Sequence, residues 1–271
     1  MAKSFAARFR IAPGQRSYLG RRDPGEHKAF PDREAAEKQS VKDGEAIDTL
    51  QDRLYAEGKR ALLVVLQGID TGGKDGTIKH VFKEAGPLGV TVTAFRRPSE
   101  EQLAHDFLWR AHVAAPRRGY IGIFNRSHYE DVLIGRVRKL APAGEIEARY
   151  DQINAFEKIL SENGTRILKF MLHISRKEQG ERLQERLDKP KHRWKFNPAD
   201  LDDRKLWKEY AAAYELMLDR CSTAWAPWHV IPADHKWARN AAIAAIVRET
   251  LEEMNPKYPK PGWDPKSFVI E

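Results

Sequence analysis

The amino-acid sequence predicts an α/β fold in which a five-stranded parallel sheet lies between two layers of helices. Residues 61–66 (ALLVVL) form an unbroken apolar run, which is too short for a core helix and is typical of a strand buried on both faces. Four further strand-like segments follow, and helix-favouring segments separate them. Because strands that alternate with helices pack as a parallel sheet covered on both sides, we expect three layers, α/β/α.

Length and composition indicate one domain in a reducing compartment. A chain of 271 residues can bury a substantial core. The single cysteine, Cys221, excludes an internal disulfide, and the sequence contains no C-x-x-C or H-E-x-x-H zinc motif. No apolar run is long enough to span a membrane. These features predict a cytoplasmic location without structural zinc.

The balance of charge indicates an anionic partner. The formal net charge is +8 and the sequence pI is about 9.4. Such an excess of basic residues favours polyanions through electrostatic steering and counterion release. Nucleic acid, polyphosphate and anionic lipid all remain open on this ground, because charge alone does not distinguish among them.

Two segments precede the first strand. Proline and glycine residues interrupt residues 1–30, which we expect to form an irregular arm. Residues 31–57 are charged and helix-favouring, with an apolar stripe at helical spacing that we expect to pack on the body of the protein. The stripe consists of Ala46, Ile47, Leu50, Leu54 and Tyr55.

The elements after the first strand continue the alternation. A helix begins near Lys74 and ends at about residue 85, before a turn at Gly86 and Pro87. Ser99 and Gln102, three residues apart, form a capping box at the start of a helix over 99–114. The later strands are predicted at residues 90–95, 120–126, 166–175 and 228–233. The later helices are predicted at residues 145–162, 203–222 and 235–255, the last of them amphipathic.

Residues 61–80 combine a strand, a glycine-rich turn and a helix-compatible segment. Gly68, Gly73 and Lys74 have the spacing G-x-x-x-x-G-K of a phosphate-binding loop, in the context that this motif requires. The glycines let consecutive N–H groups face inward, and the amino end of the helix adds positive potential. The lysine supplies a mobile charge for the outer phosphates. A turn that contains glycines by chance is the alternative, and the position of the lysine weighs against it.

One position departs from the usual loop motif. The residue after the lysine is usually Ser or Thr, which binds magnesium, whereas this chain has Asp75. A magnesium ion must therefore be bound by other groups. The carboxylates of Asp70 and Asp75 are the nearby oxygen ligands. The loop residues expected to bind phosphate are Gly68, Gly72, Gly73, Lys74, Asp75, Gly76 and Thr77.

A polar cluster follows the third strand. Its members are Asn125, Arg126, Ser127, His128, Tyr129, Glu130 and Asp131. Ligands of doubly wound sheets bind at the carboxyl ends of strands, so we expect this cluster to lie near the glycine-rich turn. Carboxylates at such a strand end commonly hold magnesium. Two independent alternatives remain open. Glu130 and Asp131 could serve only to cap the next helix. His128 could be a hydrogen-bonded scaffold residue instead of a catalyst.

A basic segment follows the fourth strand. Arg182 and Arg186 are four residues apart and share a helix face, and five further basic residues crowd the segment after them: Lys189, Lys191, His192, Arg193 and Lys195. This arrangement suits a lid that closes over bound phosphates and excludes water. Ordinary surface salt bridges to Glu178, Glu181 and Glu185 are the alternative. We expect Trp194 and Phe196 to anchor the segment.

Five separated segments of the chain together resemble the second family of polyphosphate kinases. They are LLVVLQGIDTGGKDGTIKHV, FRRPSEEQLAHDFLWR, IFNRSHYEDVLIGRV, RLDKPKHRWKFNPADLDDRKLWKEY and IPADHKWARN. The resemblance extends from about Ile47 to Tyr258. It implies a P-loop kinase fold related to thymidylate kinase, with a helical lid. It also implies reversible transfer of phosphoryl groups between inorganic polyphosphate and nucleotides, with magnesium.

The resemblance divides the chain into an arm with the start of a helical extension (1–46), the kinase domain (47–258, lid about 182–206) and a tail (259–271). The residues that match the family's loop, strand-end pair and lid helix are Asp70, Lys74, Asn125, Arg126, Arg182 and Arg186. Branches of the family that use only diphosphates or only monophosphates tend to have Asp in place of Asn125 and no acid in place of Glu130. This chain therefore resembles the branch that accepts both AMP and ADP, in which an aspartate at the position of Asp75 is normal.

Roles follow for individual residues. The expected catalytic residues are Asp70, Lys74, Arg126, Glu130 and Asp131, and the expected metal ligands are Asp70, Glu130 and Asp131. The polyphosphate site adds Arg126, Arg182, Arg186, Lys189 and Lys191 to the loop residues. The nucleotide site is expected to comprise Arg96, Arg97, Asp106, Asn125, His128 and Glu130. The implied cofactor is Mg²⁺, with Mn²⁺ as a substitute.

The expected partners are polyphosphate, AMP, ADP, ATP and further copies of the chain in a dimer or tetramer, with no specific nucleic acid and no membrane. Two other functions remain open. An ATP-dependent kinase of a small metabolite would share the loop and the lid, whereas a non-catalytic polyanion-binding module would share only the charge. The carboxylates beside the loop weigh against such a module, because they repel a polyanion unless magnesium intervenes.

Overall fold

A parallel sheet forms the centre of the molecule. A computed structural model describes residues 4–264, 267–268 and 270. Within them, five parallel strands lie in the order β2-β3-β1-β4-β5. The strands are β1 (Ala61–Gln67), β2 (Val90–Ala94), β3 (Ile121–Asn125), β4 (Thr165–His173) and β5 (Trp228–Pro232). The predicted fold class and the five predicted strands are confirmed.

Eleven helices occur in the described part of the chain. They are α1 (Phe5–Phe9), α2 (Arg33–Glu57), α3 (Lys74–Val81), α4 (Glu100–Leu103), α5 (Trp109–Ala114), α6 (Ile134–Val137), α7 (Ala143–Glu162), α8 (Arg176–Asp188), α9 (Ala199–Lys205), α10 (Trp207–Cys221) and α11 (Lys236–Met254). Short polar side chains cap three of them: Asp32 accepts a hydrogen bond from the Ala35 N–H, Ser99 accepts one from the Gln102 N–H, and Ser175 accepts one from the Glu178 N–H.

Two predicted helices are broken in the structure. The capping box of Ser99 and Gln102 is present, but α4 ends after Leu103. The next helix, α5, begins at Trp109. Just before it, the Asp106 carboxylate accepts a hydrogen bond from the Leu108 N–H at 2.9 Å. This local side-chain bond competes with a continuous helix. The helix predicted at 203–222 is divided at Leu206 into α9 and α10.

Strand β1 separates two hydrophobic cores. Leu62, Val64 and Leu66 pack with α2 and α11 on one face of the sheet. Leu63 and Val65 alternate with them and pack with α7 and α10 on the other face. All seven residues of β1 are buried, because helices cover both faces. The sheet therefore holds the turn after β1 on a rigid base.

Helix α11 differs from the amphipathic helix that the sequence predicts. Its residues 238–247 are all buried. The helix contacts β4 and β5 as well as α2, so that α2 covers the side that would otherwise face water. A polar residue in this helix, such as Arg239, is therefore enclosed.

The arm before α2 is also more ordered than predicted. Phe9, Ile11 and Leu19 are buried in the cores. The Ile11 N–H donates to the carbonyl oxygen of Trp228 at 2.8 Å, beside an antiparallel bridge between Arg10 and His229. The arm therefore covers the free edge of β5, where unpaired backbone groups gain partners.

The predicted division of the chain stays a prediction. The boundary after residue 46 falls inside the continuous helix α2. Residues 1–3 of the predicted arm and residues 265–266, 269 and 271 of the predicted tail lie outside the described residues. In the described ranges, no helix combines the length and the apolar character needed to cross a membrane.

Candidate active site

A cleft of about 610 Å³ opens at the carboxyl ends of β1, β2 and β3. Residues of the segment that the sequence predicts as a lid line this cleft as well, and we keep the name lid for that segment. The residues that line the cleft are Asp70, Thr71, Gly73, Lys74, Asp75, Gly76, Ala94, Phe95, Arg96, Asn125, Arg126, Arg182, Glu185, Arg186, His192, Trp194, Lys195, Lys236 and Arg239. The glycine-rich turn, the strand ends and the basic segment therefore meet, as the parallel topology predicts.

The glycine loop, residues 68–73, connects β1 to α3. Gly73 has a φ angle of +103°, which side-chain-bearing residues rarely adopt, and it caps the amino end of α3. Gly68 lies so close to β4 that a Cβ atom would stand 3.0 Å from the carbonyl oxygen of Leu172. These constraints explain the two glycines of the motif. The loop presents the positive end of α3 to the cleft.

Lys74 is buried at the start of α3. Its Nζ donates to the carbonyl oxygens of Gly68 at 2.6 Å and Ile69 at 3.4 Å. Burial, together with the positive charge of Arg126, lowers the pKa of Lys74 to about 8. At neutral pH the group is therefore still mostly a cation.

Arg126 bridges two carboxylates beside the loop. Its guanidinium donates to Asp70 and, at 3.1 Å, to Glu130. Burial opposes the charge of Arg126, but Glu130 and Asp70 raise its pKa above its usual value. The backbone of Arg126 has a φ angle of +61°, a costly conformation for a side-chain-bearing residue that is common at functional sites. This turn directs the side chain back over the carboxyl end of β1.

Gln67, which the sequence reasoning missed, orients Glu130. It is the last residue of β1 and fully buried. In the orientation that satisfies its neighbours, its amide nitrogen donates to Glu130 Oε1 at 3.0 Å, and its oxygen accepts from Ser127. The sequence does show a polar residue at the carboxyl end of an apolar strand, and this position was the signal that could have identified Gln67 as part of the site.

Asp75 links three parts of the cleft. It lies in the first turn of α3 and accepts a hydrogen bond from the Asn125 amide at 2.7 Å. Its other carboxylate oxygen lies 3.8 Å from Lys195 of the lid. The structure thus brings a strand end, the glycine loop and the lid into contact through one carboxylate.

The two lid arginines have different surroundings. Arg182 is buried and donates to the carbonyl oxygens of Thr71, Gly72, Ala233 and Asp234, besides its ion pair with Glu178. It therefore supports the loop from behind. Arg186 is more exposed and donates to Asp200 at 3.2 Å. Burial and the negative charge of Asp70 raise the pKa of Asp200 to about 6.

Two predicted site residues lie away from the cleft. Asp131 pairs with Arg110 at 3.3 Å and Arg149 at 3.9 Å and does not line the cleft. His128 is fully buried, 3.5 Å from the Glu157 carboxylate, in a core of charged and aromatic side chains. The structure therefore places the side chains of Asp131 and His128 against residues of other elements, and their assignment to the metal and to the nucleotide stays a prediction. Glu130, which pairs with Arg126, does not line the cleft either. The scaffold alternative for His128 is the one that the structure favours.

Other predicted residues lie at the surface outside the cleft. Arg97 and Asp106 are exposed, and the Asp106 carboxylate accepts its hydrogen bond from Leu108, just before α5. Lys189 pairs with Glu185 at 2.5 Å, and Lys191 is exposed. Arg96, by contrast, lines the cleft beside Ala94 and Phe95, at the end of β2.

Several cleft residues were not predicted as site residues, among them Lys236, Arg239 and Trp194. Lys236 and Arg239 follow the carboxyl end of β5 and line the cleft. The rule that ligands bind at the carboxyl ends of parallel strands, which we applied to β3, would also have identified them. Trp194 lines the cleft and is 78% exposed, so it does not anchor the lid as expected. Phe196, which we also expected to anchor the lid, is half-buried.

The donor set beside the loop fits a magnesium ion. Among the described residues no three His, Cys, Asp or Glu side chains converge as a complete metal site. Asp70 and Glu130 are partly exposed and share only the cation Arg126. Magnesium commonly binds one or two carboxylates and completes its shell with water and substrate phosphates. Two carboxylates at a phosphate-binding loop therefore suffice for it.

Comparisons with known proteins agree on one family. The family model described as Polyphosphate kinase 2 (PPK2) matches residues 31–259. An AMP/ADP-polyphosphate phosphotransferase of Meiothermus ruber is 48% identical over 265 residues, which are 97% of this chain and 99% of the relative. An ADP-polyphosphate phosphotransferase of Rhodopseudomonas palustris is 38% identical over 264 residues, 93% of this chain and 91% of the relative.

Solved structures give the same result. The crystal structure of Polyphosphate Kinase 2 from Arthrobacter aurescens superposes with a TM-score of 0.94 at 39% identity, over 98% of this chain and 95% of that chain. A polyphosphate kinase 2 structure from Pseudomonas aeruginosa, described as putative, has a TM-score of 0.83 at 30% identity, over 89% of this chain and 52% of that chain.

Proposed function

The chain belongs to the polyphosphate kinase 2 family, and we propose from this premise that it transfers phosphoryl groups from inorganic polyphosphate to AMP and ADP. The reaction is reversible and forms ADP from AMP and ATP from ADP. The observation that carries the proposal is the position of Lys74 and Arg126 at one cleft, beside the carboxylates Asp70 and Glu130. Cations for phosphoryl oxygens and ligands for a metal are thus in one place.

The donor chain lies along the basic side of the cleft. Polyphosphate offers no base or sugar to recognise, so its binding must come from charge. Arg186, Lys195, Lys236 and Arg239 supply basic groups to the lining of the cleft. Because the lid carries several of these cations, its closure over the donor would exclude water from the transferred group.

The transfer itself needs positioning more than covalent help. An oxygen of the acceptor's terminal phosphate forms a bond to the end phosphorus of polyphosphate, while the bond from that phosphorus to the bridging oxygen breaks. The shortened chain keeps the bridging oxygen. Lys74 and Arg126 offset the charge that develops on the oxygens, and the protein supplies no nucleophile.

We assign Mg²⁺, with Mn²⁺ as a substitute, to Asp70 and Glu130. The ion would neutralise phosphoryl oxygens of the donor and acceptor. Gln67 and Arg126 hold Glu130 in place for this role. Asp131, paired with Arg110 and Arg149, has no part in it.

The acceptor range rests on the polar residues at the end of β3. Asn125 binds Asp75, and Glu130 lies beside the loop, so that the acidic group associated with AMP use is present. The Meiothermus ruber relative, named for both AMP and ADP, supports this range. The nucleotide would lie against Ala94, Phe95 and Arg96.

Location and assembly are further parts of the proposal. We place the enzyme in the cytoplasm, where both nucleotides and polyphosphate occur, with no specific nucleic acid or membrane as a partner. A homodimer or homotetramer is supported by the free edge of β2, where Val92 is 54% exposed and the nearby Leu88 is 74% exposed.

The deciding experiment combines purified protein, Mg²⁺, long-chain polyphosphate and AMP without ATP, and follows the nucleotides by ion-exchange chromatography. ADP followed by ATP is the expected result. If only added ADP is converted, the transfer from polyphosphate expected of the family stands, but the assignment of AMP as an acceptor fails. If polyphosphate donates to neither nucleotide while ATP and magnesium bind, the activity is that of an ATP-dependent kinase with another acceptor.

A further inference from the structure

A second concave surface lies on the arm that precedes α2. Its volume is about 550 Å³. The residues that line it are Gln15, Arg16, Ser17, Tyr18, Arg21 and Arg22. We call it the arm pocket. It shares no lining residue with the cleft, so it is separate from the candidate active site.

The arm pocket carries positive charge that no carboxylate offsets. Three of its six residues are arginines, and none of the three forms an ion pair within the described part of the chain. An arginine stays charged at physiological pH, and its five N–H donors match the geometry of phosphate oxygens. Three unpaired guanidinium groups around one cavity therefore favour an anionic ligand.

Two carboxylates of α10 contact the same segment but bind its backbone. Asp219 Oδ1 accepts a hydrogen bond from the Ser17 N–H at 2.6 Å, and Glu215 Oε1 accepts one from the Leu19 N–H at 3.2 Å. The side chain of Leu19 is buried in the core below. These contacts fix the path of the segment and leave the guanidinium groups free of carboxylates.

Contacts within the arm position two of the three cations. Arg22 is half-buried, and its Nε donates to the carbonyl oxygen of Ser17 at 2.9 Å, which uses one of its five N–H donors. Tyr18 has a φ angle of +46°, a costly conformation for a side-chain-bearing residue. The Arg21 guanidinium lies 5.0 Å from the centroid of the Tyr18 ring. Arg21 and Arg22 are thus arranged before any ligand binds.

The same segment contacts the base of the lid. The carbonyl oxygen of Arg22 lies 3.1 Å from His173 Nε2 at the end of β4, and the carbonyl oxygen of Pro24 accepts a hydrogen bond from the Asp234 N–H at 3.1 Å. The Asp234 carboxylate in turn accepts one from the N–H of Ser175, which caps α8. A ligand in the arm pocket would therefore bind a segment that supports the amino end of the lid helix.

We propose that the arm pocket is a second site for an oligophosphate group, outside the cleft, in which Arg16, Arg21 and Arg22 bind the phosphate oxygens. Inorganic polyphosphate and nucleoside triphosphates both carry this group. Several linked phosphates suit the pocket better than one, because three cations are available. No carboxylate lines the pocket, so binding there does not need a metal ion. The proposal does not depend on the phosphoryl transfer proposed above.

The test counts the tripolyphosphate molecules bound per chain by isothermal titration calorimetry, in low-salt buffer at constant free Mg²⁺. It uses the wild type, Arg16→Met/Arg21→Met and the charge-retaining Arg16→Lys/Arg21→Lys. The control Arg118→Met/Arg166→Met removes the same charge from two exposed arginines near the amino ends of β3 and β4, opposite the cleft. The rate of transfer from polyphosphate to ADP is measured for each protein.

We expect the wild type and the control to bind one tripolyphosphate more per chain than Arg16→Met/Arg21→Met. The charge-retaining variant should bind the additional molecule more weakly than the wild type, because lysine lacks the planar fork of donors. Transfer rates should agree within about threefold, since neither Arg16 nor Arg21 lines the cleft.

The same titration with ATP distinguishes the two sources of the oligophosphate group. A difference of one ATP per chain between the wild type and Arg16→Met/Arg21→Met would assign the pocket to nucleoside triphosphates as well. A difference with tripolyphosphate alone would assign it to the inorganic chain.

Equal numbers of bound ligands in the wild type and Arg16→Met/Arg21→Met, for tripolyphosphate and ATP alike, would refute the site. A joint loss of binding and transfer in this variant would also refute it, because the arm would then act by distorting the cleft. If the wild type transfers nothing from polyphosphate, the proposed function fails separately. The difference in bound ligand still decides the site in that case, because it counts binding and not product.

Discussion

The ammonium group of Lys74 donates to the carbonyl oxygen of Gly68 at 2.6 Å, so the cation is bound by backbone dipoles and not by a carboxylate. Carbonyl oxygens orient the charge without neutralising it. The full positive charge is therefore available to phosphoryl oxygens at the loop.

Lys74→Ala should lower the rate of phosphoryl transfer about 1,000-fold, because one preorganised cation at the reacting group is lost. The small side chain leaves the loop backbone intact, so the melting temperature should change little. Transfer from polyphosphate to ADP is the measurement, with circular dichroism to check the fold. Turnover within a few fold of the wild type would show that Lys74 does not contact the reacting phosphate.

Polyphosphate binding should weaken as the pH rises through about 8. The pKa of Lys74 in the free protein is lowered to about 8, and only its protonated form attracts the polyanion. At pH 9 about nine tenths of Lys74 would be neutral, so the dissociation constant should rise up to about 10-fold. The inner phosphates of the chain keep their charge in this range. Lys74→Arg is the control, since its charge does not titrate there, and an equal pH dependence in this variant would assign the titration to another group.

Arg126→Ala should reduce transfer about 100-fold or more, because it removes a cation from the reacting group. It also leaves Asp70 and Glu130 without the cation that they share. The uncompensated charge of these two carboxylates should attract a cation more strongly, so the variant should reach half-maximal activity at a lower Mg²⁺ concentration than the wild type. Titration of activity with Mg²⁺ measures this effect. An unchanged magnesium requirement would argue against Asp70 and Glu130 as ligands.

Glu130→Ala should reduce the use of AMP more than the use of ADP. Asp131→Asn is the matched control, because this neighbouring carboxylate binds Arg110 and Arg149 outside the cleft. We expect the control to change kcat/KM for either acceptor by no more than about threefold, a small loss in barrier terms. Equal losses on both acceptors in Glu130→Ala would remove the AMP assignment of this residue.

Lys169→Met should destabilise the protein by about 3–5 kcal/mol, because it leaves the fully buried Glu157 without its cation. Unfolding in urea measures this change. Lys158→Met, which breaks an exposed pair with Glu162, should cost no more than about 0.5 kcal/mol. The double variant Lys169→Met/Glu157→Gln should recover part of the loss, and failure to recover any would mean that packing of the lysine stem accounts for the effect.

Local sequence was sufficient to predict the sheet and the glycine loop. The apolar run of β1 and the spacing of Gly68, Gly73 and Lys74 are properties of adjacent residues, and they correspond to a strand, a loop and a helix in the structure. The position of Arg126 at the cleft followed from one further rule, that parallel strands present their carboxyl ends at a common edge.

Sequence proximity did not reveal the surroundings of two residues. His128 and Asp131 lie within five residues of Arg126 along the chain, yet their side chains meet Glu157 and Arg110 from other elements. A tight turn follows Arg126, so consecutive side chains there point in different directions. Which of them faces the cleft depends on partners that the local sequence does not reveal.

The sequence by itself therefore determined the parallel α/β sheet, the glycine loop and its lysine, because these features depend on short-range periodicity and backbone geometry. Only the tertiary structure decided which charges are paired. Besides Glu178 on its own helix, Arg182 meets the carbonyl oxygens of Thr71 and Gly72, which lie 111 and 110 residues earlier in the chain, whereas Arg239 lies under the glycine loop without a carboxylate. The physical reason is that burial and ion pairing arise from residues far apart in the chain, which only the packing of α8 and α11 against the loop brings together.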